Sequence, residues 1–520
     1  MSLVVPFEEI FKEEKGPFCK HASWERVKLN VVIAILNGFA FKSKLFSKEY
    51  GFPLIRIRDI LKNQTETFYT GDFSDEYVVS YGDLLIGMDG NFICSEWKGD
   101  KSLLNQRVCK IIPNENFISK RFLLYGINGY LKAIQEATSS VTVGHLSSKD
   151  ILRIPFPLPP LKEQQRIIAK LEKLLEKVDQ CKARLEKIPI ILKRFRQSVL
   201  AAACSGELTK DWRKKNPEIE TASELIDRVK REEKKDYLQE CAIAEKNGFR
   251  RPKKPPLLSL REITIHLINT WANLKIEYAF LPQNIFDGPF GSNLKTSDYT
   301  DFGARVIRLE NIGSLTFIDG KKTYISDYKY KELERHIVKE GDIIFASFIS
   351  DSVRVVILPK IGKAIAKADC FCLRPIPQLL NYKYLTFILS SPQIYSELAD
   401  VIHGATRPRI NTKQLKGCSI PFPPIKEQQE IVRRVEALFK VADRIESRYK
   451  KARVYVDKLT QSILAKAFRG ELVPQDPNDE PASKLLERIR AEREKLDAEK
   501  PKRTRAARKP KPRKRKTQPV

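Results

Sequence analysis

The chain has 520 residues, with 94 Lys or Arg against 65 Asp or Glu, so its net charge is +29. This length exceeds what one hydrophobic core normally fills, and we expect two or more domains. The hydrophobic fraction of 42% and aromatic fraction of 9% exclude a wholly disordered chain. The positive excess indicates a polyanionic partner, with nucleic acid as the first candidate.

We expect neither a membrane protein nor a secreted one. No apolar run approaches the ~20 residues that a membrane helix needs, and the acidic N-terminus (Glu8, Glu9, Glu13) does not resemble a secretory signal. Nine irregularly spaced cysteines are typical of free thiols in a reducing cytoplasm, and five scattered histidines cannot supply several metal centres. We therefore expect a cytoplasmic protein without a metal site.

Residues 1–156 are predicted to form the first globular domain. Short apolar runs such as Val78–Val79 and Leu84–Gly87 are separated by Gly, Asp and Asn, which favours an α+β fold of strands and turns with some helix.

A helical spacer is predicted at residues 157–208. Prolines precede it, and its apolar residues then alternate spacings of four and three, the 3.5-residue period of a coiled-coil seam. Pro189 lies inside this helix and should kink it. Gly206 follows the last seam position and suits a left-handed helix stop. The predicted seam residues are Ile167, Leu171, Leu174, Val178, Leu185 and Leu192.

Residues 209–265 form a predicted linker, with a charged helical stretch (Ala222 to Lys246) and a stiff basic segment (Arg250 to Pro256). A second globular domain follows at residues 266–420. A second helical spacer is predicted at 421–498, ending its seam near Gly470. The basic tail 499–520 is predicted to be disordered because it cannot bury a core. The second set of seam residues is Ile431, Val435, Leu438, Ile445, Tyr449 and Leu459.

The chain is therefore two copies of one unit. Residues 157–208 align without a gap on 421–472, opening with PLPPLKEQQ and PFPPIKEQQ, and weaker echoes such as SWERVKL and TWANLKI lie upstream. Each seam needs an apolar partner, and the other copy is the obvious one. A two-fold relation then makes the helices antiparallel and separates the domains. The alternative is that each helix packs on its own domain or on another subunit.

No phosphate-binding loop, dinucleotide loop or methyl-donor motif is present, so we expect neither ATP hydrolysis nor methyl transfer by this chain. Asp89, Glu96 and Lys98 do form a pattern that some metal-dependent nucleases use to hold Mg²⁺. The equivalent positions of the second copy are apolar. We therefore prefer a structural hairpin with Lys98 facing DNA, and keep a self-sufficient Mg-dependent nuclease as an alternative.

The proline-rich lead into KEQQ, its repetition at half-chain distance, and GELVPQDPNDEPASKLLERIRAER (residues 470–493) resemble the specificity subunit of type I restriction-modification enzymes. The resemblance implies a non-catalytic prokaryotic subunit with two target-recognition domains, each reading half of a split double-stranded DNA target. It implies two modification (methyltransferase) subunits as partners, and possibly two restriction (motor and nuclease) subunits. S-adenosylmethionine, ATP and Mg²⁺ would belong to those partners, and no cofactor to this chain.

Candidate functional residues follow from chemistry. Arg and Lys pair well with guanine edges, although each could equally contact phosphate or solvent. The helix-opening glutamines Gln164, Gln165, Gln428 and Gln429 are candidates for subunit docking or for helix-start hydrogen bonding. An architectural DNA-binding coiled-coil protein without an enzyme partner remains a further alternative. The DNA-contact candidates are Arg56, Arg58, Lys98, Lys101 and Arg107 in the first domain, and Lys295, Arg305, Arg308, Arg354, Arg407 and Arg409 in the second.

Overall fold

The computed structural model describes residues 6–11, 21–138, 144–261, 264–266, 268–402 and 408–499. The chain divides into two compact units, residues 1–185 with 452–520 and residues 186–451. Each unit holds one sheet-rich domain and part of each of two 44-residue helices. The predicted tail lies outside the described residues from residue 500 onward, so its disorder stays a prediction.

The first domain alternates short strands with tight turns, as its punctuated apolar runs predict. Its elements are β1 (Glu25–Lys28), β2 (Ile33–Asn37), β3 (Phe46–Ser47), β4 (Phe52–Ile55), β5 (Phe68–Tyr69), β6 (Val78–Val79), β7 (Leu84–Gly87), β8 (Cys94–Glu96), β9 (Ser102–Leu104), β10 (Val108–Pro113), α1 (Lys120–Glu136), α2 (Ser148–Arg153) and β11 (Pro155–Leu158).

The long helix α3 (Leu161–Cys204) leads into the second unit. The elements that follow are α4 (Lys210–Lys215), α5 (Ala222–Lys246), β12 (Thr264–Ile265), β13 (Ala272–Lys275), β14 (Phe280–Phe286), β15 (Tyr299–Thr300), β16 (Ala304–Ile307), β17 (Tyr324–Ile325), α6 (Asp327–Glu332), β18 (Ile337–Val338), β19 (Ile343–Ala346), β20 (Val355–Ile357), β21 (Ala364–Ala366), β22 (Cys370–Pro375), α7 (Tyr382–Leu389), α8 (Pro392–Ala399), α9 (Thr412–Gly417), β23 (Ser419–Phe422), α10 (Ile425–Phe468) and α11 (Ala482–Glu499).

The two domains share one sheet topology. The first has a four-stranded sheet of order β2-β10-β7-β8 and a five-stranded sheet of order β3-β5-β4-β9-β6, and the second repeats these orders as β14-β22-β19-β20 and β15-β17-β16-β21-β18. In each five-stranded sheet one neighbouring pair is parallel, β4 with β9 and β16 with β21. The echoing segments SWERVKL and TWANLKI also hold equivalent strands, since β1 pairs antiparallel with β11 and β13 with β23. The predicted α+β class is confirmed.

A close backbone approach recurs where the two sheets of each domain meet. A Cβ atom added to Gly38 would lie 2.0 Å from the carbonyl oxygen of Asn105, and one added to Gly288 would lie 2.0 Å from the carbonyl carbon of Lys367. Only glycine fits at such a distance. Each close approach holds the chain that follows β2 or β14 against the chain that follows β9 or β21.

Within each unit the two long helices run antiparallel. In the first unit Arg166, near the start of α3, pairs with Asp479 beyond the end of α10, whereas Lys182 lies 3.8 Å from Asp457 further back along α10. In the second unit Arg196 bonds Asp443 at 2.6 Å. The helix pairing expected from the seams is confirmed.

Most predicted seam residues are buried or half-buried, but Ile445 is a correction because 42% of it is exposed. On this part of α10, Asp443 and Glu446 face Arg196 of α3 and form ion pairs with it. Ion pairs therefore replace apolar contact between the helices here, and Ile445 faces solvent. Pro189 lies inside α3, which continues as one helix from Leu161 to Cys204.

Both long helices end as predicted. Gly206 and Gly470 have φ values of 71° and 74°, the left-handed conformation that favours glycine. Beyond them α5 and α11 bury matching apolar residues, Leu225 and Leu485 among them, in the cores of their own units. Among the described helices, none has the length and apolar content that crossing a membrane requires.

Candidate nucleic-acid interface and helix-start sites

A buried carboxylate holds the start of α3 in the first unit. Glu163 is 1% exposed and accepts hydrogen bonds from Trp24 Nε1 at 3.0 and 3.1 Å and from Gln475 Nε2 at 2.5 Å. Burial raises the pKa of Glu163, while these hydrogen bonds act in the opposite direction. Three segments distant in sequence, namely the residue that precedes β1, the start of α3 and the chain after α10, are thereby joined at one point.

The second unit repeats this arrangement at the start of α10. Glu427 is fully buried and accepts hydrogen bonds from Trp271 Nε1 at 2.8 Å, Thr209 Oγ1 at 2.6 Å and Arg213 Nη1 at 2.5 Å. Here the buried carboxylate has a cationic partner, which the first unit replaces with Gln475. The same Trp–Glu pair thus ties a domain strand, a helix start and the segment after the other helix in both units.

An ion network flanks the start of α10. Arg434 donates to both carboxylate oxygens of Asp211, at 2.5 and 3.0 Å, and to Leu208 O at 2.8 Å. Its guanidinium lowers the pKa of Asp211 to about 2. Arg433, together with Arg434, lowers the pKa of Glu430 to about 2. These charges fasten the chain after α3 to the neighbouring helix.

The first glutamine of each KEQQ motif is structural, which corrects the docking prediction for Gln164 and Gln428. Gln164 Nε2 donates to the carbonyls of Phe117 and Pro159, and its Oε1 accepts from the Ser119 amide at 2.7 Å. Gln428 makes the same three bonds in the second unit, to Leu379 O, Pro423 O and Asn381 N. Both side chains are fully buried and therefore unavailable to a partner.

The second glutamine of each motif faces solvent. Gln165 and Gln429 are both exposed, one helix position beyond the buried Gln164 and Gln428. Their prediction as docking residues is compatible with this placement. The motif therefore combines an inward residue that fixes the helix and an outward residue on the surface.

Several predicted DNA-contact residues lie on the surface of their domains. Arg56, Arg58, Lys98 and Lys101 are exposed in the first domain, and Lys295 is exposed in the second. Arg56 and half-buried Arg308 are structural equivalents, since the backbone N–H of each donates at 2.9 Å to the side chain three residues on, Asp59 or Asn311. Their guanidinium groups therefore leave equivalent turns of the two domains.

Two of the second-domain candidates are buried or half-buried, and a third is not described. Arg305 is a correction: it is 5% exposed, pairs with Asp319 at 2.6 Å, and its guanidinium carbon lies 5.3 Å from the Phe317 ring centroid. Arg354 is half-buried and donates to Leu309 O at 3.1 Å, so it supports the fold rather than projecting toward DNA. Arg407 lies outside the described residues.

Arg107 and Arg409 are each anchored by a neighbouring carboxylate. Arg107 Nε lies 3.2 Å from Asp89 Oδ2, and Arg409 Nη1 lies 3.5 Å from Asp369 Oδ1. Both arginines are about half exposed. They combine accessibility with a close carboxylate contact; Arg58, 61% exposed, lies somewhat farther from its acid, 3.7 Å from Asp59.

The carboxylates of the nuclease pattern are engaged with basic side chains. Asp89 contacts Arg107 and His145, while Glu96 lies 3.3 Å from Arg121 and 3.8 Å from Lys120. In the part of the chain that the structure describes, no three His, Cys, Asp or Glu side chains are grouped to hold a metal ion. The pattern that suggested a nuclease therefore finds no support in the arrangement of its acids.

The Trp–Glu pairs are not among the residues that the sequence analysis predicts, although both members of each pair stand in repeated motifs. Trp24 and Trp271 stand in SWERVKL and TWANLKI, and Glu163 and Glu427 stand in the two KEQQ motifs. A residue type retained in both copies at a helix start was the signal. Only the fold shows that the two motifs meet.

The chain matches the family model described as the type I restriction modification DNA specificity domain, over residues 22–189 and 295–454. It is 38% identical to the type I restriction enzyme EcoBI specificity subunit of Escherichia coli, covering 94% of this chain and 96% of that one. It is 33% identical to the EcoDI specificity subunit of Escherichia coli, over 79% and 84% of the two chains.

A solved structure has the same fold. It is a structure reported under the words "Structural basis underlying complex assembly and conformational transition of the type I R-M system". The match has a TM-score of 0.57 at 18% identity, and covers 86% of this chain and 98% of that chain.

Proposed function

Because this chain belongs to the DNA specificity subunits of type I restriction-modification enzymes, we propose that it reads a bipartite DNA sequence and directs partner subunits to it. Each α+β domain reads one half of the target. The helix pair sets the length of the unread middle and carries the surface on which two modification subunits dock. Two restriction subunits join when the complex also cleaves.

The observation that carries this proposal is the duplicated domain joined to a shared helix pair by a duplicated anchor. The Trp24–Glu163 and Trp271–Glu427 hydrogen bonds are buried and tie each domain to the start of a long helix. A reader whose half-sites must keep a fixed spacing needs such a rigid junction. A nuclease or a nonspecific DNA-bundling protein does not.

We further propose that the chain is non-catalytic and cytoplasmic. S-adenosylmethionine, ATP and Mg²⁺ belong to the modification and restriction subunits, because the sequence carries no phosphate-binding or methyl-donor loop. We assign DNA contacts to exposed cations of the two domains, which bind phosphates or base edges. These cations are Arg56, Arg58, Lys98, Lys101 and Lys295. Gln165 and Gln429 contribute to docking.

Reconstitution tests this proposal. The full chain, its modification subunits, or both together are incubated with S-adenosylmethionine and genomic DNA from a strain that lacks the system. We expect adenine methylation only when both are present. Methylation by the modification subunits alone at the same sites would contradict the proposal.

A parallel incubation of the chain alone with Mg²⁺ tests the nuclease alternative. We expect intact DNA. Cleavage that is lost in Asp89→Ala, while the control Lys132→Ala on the surface of α1 still cuts, would establish that alternative instead.

A further inference from the structure

The two domains carry the same side chains at the helix starts. At one other place they share the same backbone hydrogen bonds but carry different side chains, and we call this backbone arrangement the frame. The helix starts keep the same Trp, Glu and Gln residues in both units. Two readers of different half-sites need the opposite elsewhere, namely a common backbone carrying different side chains. Such a frame lies where the strand pair at the centre of each four-stranded sheet ends.

In the first domain the frame joins three segments. The Met88 amide, just after β7, donates to Arg107 O at 3.0 Å, just before β10. The Leu146 amide donates to Met88 O at 2.7 Å, and Asp89 forms a β-bridge with His145. These bonds set the backbone positions of Asp89, Arg107 and His145 side by side.

In the second domain the same bonds recur. The Ser347 amide, just after β19, donates to Asp369 O at 2.9 Å, and the Ile410 amide donates to Ser347 O at 3.0 Å. Phe348 forms a β-bridge with Arg409. Phe348, Asp369 and Arg409 therefore occupy the positions that Asp89, Arg107 and His145 occupy in the first domain.

The side chains differ, but each frame builds an anchored guanidinium. In the first, Asp89 is 3.2 Å from Arg107 and 2.6 Å from His145 Nδ1, with 24% of the Asp89 side chain and 55% of the Arg107 side chain exposed. In the second, Asp369 is also 24% exposed and holds Arg409, which is 46% exposed. The acid is sheltered in both frames, and the cation reaches solvent from a different segment.

The second frame has further supports for its arginine. The Arg409 guanidinium carbon lies 5.5 Å from the centroid of the Phe348 ring, and Ser347 Oγ donates to Asp369 at 3.0 Å. Stacking and ion pairing together restrict the rotamers of a long side chain. An arginine held in this way loses less conformational entropy when it binds.

Building on the proposed function, we propose that Arg107 and Arg409 are specificity-determining residues, each pairing with a guanine in one half of the target. Arginine binds guanine O6 and N7 with two N–H groups, and the guanidinium has five such donors, of which the anchoring acid uses only part. Asp89, His145, Asp369 and Phe348 are positioning residues. The arginine stands on a different segment of the frame in each domain, at position 107 in the first and at the equivalent of position 145 in the second. The guanidinium therefore lies at a different place in each domain, and the two domains select different half-sites.

The test is mapping of methylated adenines in a host genome that expresses the modification subunits with wild-type chain, Arg107→Ala, Arg107→Lys or Arg409→Ala. Arg107→Ala should relax one guanine position in one half of the motif, reducing discrimination at that position by roughly 5- to 150-fold. Arg409→Ala should relax one position in the other half only. The spacer length should stay unchanged in both.

Matched controls remove one positive charge elsewhere on each domain. Lys132, on α1, and Lys363, after β20, have side chains that are 70% and 62% exposed and pair with Glu136 and Asp327. Lys132→Ala and Lys363→Ala should keep the complete motif. Asp89→Asn should reduce discrimination at the same guanine position as Arg107→Ala, because it removes the carboxylate charge that holds the Arg107 guanidinium in place.

Arg107→Lys distinguishes base readout from a phosphate contact, since it keeps the charge and loses the two-bond geometry. If it keeps full discrimination, or if both arginine variants alter the same half, the inference is overturned. If Arg107→Ala fails to assemble with the modification subunits, Arg107→Lys and Asp89→Asn decide the matter. A wild-type chain that yields no bipartite motif would instead refute the proposed function.

Discussion

Adding four residues to each long helix is expected to lengthen the unread spacer of the DNA target. The additions, Glu-Ala-Ala-Lys in each case, are placed between Leu185 and Glu186 in α3 and between Lys451 and Ala452 in α10, where the two units meet along the chain. Four helical residues add ~6 Å and rotate the helix by ~400°, which is ~40° beyond a full turn. Both additions are needed because the helices pair with each other.

The geometry of DNA converts this change into a number of base pairs. One base pair spans ~3.4 Å and, at 10–10.5 base pairs per turn, rotates by ~34–36°. The length of the addition therefore allows one to two extra base pairs, and the rotation of ~40° selects one. We expect the preferred spacer to grow by one base pair while both half-sites stay the same.

The assay is mapping of methylated adenines in cells that carry the modification subunits and either chain. As a control, the same four residues are inserted after Gly248, in the loop that follows α5, where they add no helix length. That variant should keep the wild-type spacer. An unchanged spacer in the variant with longer helices, with methylation retained, would refute the idea that helix length measures the gap.

Three further predictions concern stability and are measured by urea unfolding. Glu427→Gln should lower the free energy of unfolding by about 3 kcal/mol because it leaves Arg213 without its buried carboxylate. Glu163→Gln breaks no ion pair and should lower it by about 1 kcal/mol. Equal losses in the two variants would contradict this. Phe468→Ala should cost about 3–5 kcal/mol by opening a cavity in an aromatic cluster, while exposed Ile190→Ala should cost under ~0.5 kcal/mol. Glu430→Gln should be destabilising at neutral pH but neutral near pH 2, since the lowered pKa of Glu430 gives stability that is present above pH ~4.5 and is lost as pH falls toward about 2.

The repeat and the helix period were sufficient to predict the architecture. A seam of 3.5-residue spacing in two aligned segments fixes the helix pair, because each apolar stripe needs a partner. The exposure of Ile445 could not be predicted, because it depends on how α10 is rotated toward Arg196, and that rotation is set by an ion pair between two helices.

The site was predictable only in part. KEQQ marks a helix start, but the phase of the helix against its domain decides that Gln164 is buried and Gln165 exposed. Arg305 was predicted to contact DNA because it is charged, but it lies in a strand that is buried on both faces. The frame of Asp89, Arg107 and His145 joins segments up to 56 residues apart, and only strand register reveals it.

The central claim is that two domains of this chain select the two halves of one DNA sequence for its partner subunits. Its most direct test compares methylated adenines across a host genome with this gene present and with it deleted. We expect a single split motif, two short specific sequences around a fixed unspecified gap, to disappear on deletion. An unchanged methylation pattern in a host whose modification subunits are active, or loss of a continuous motif without a gap, would contradict the account.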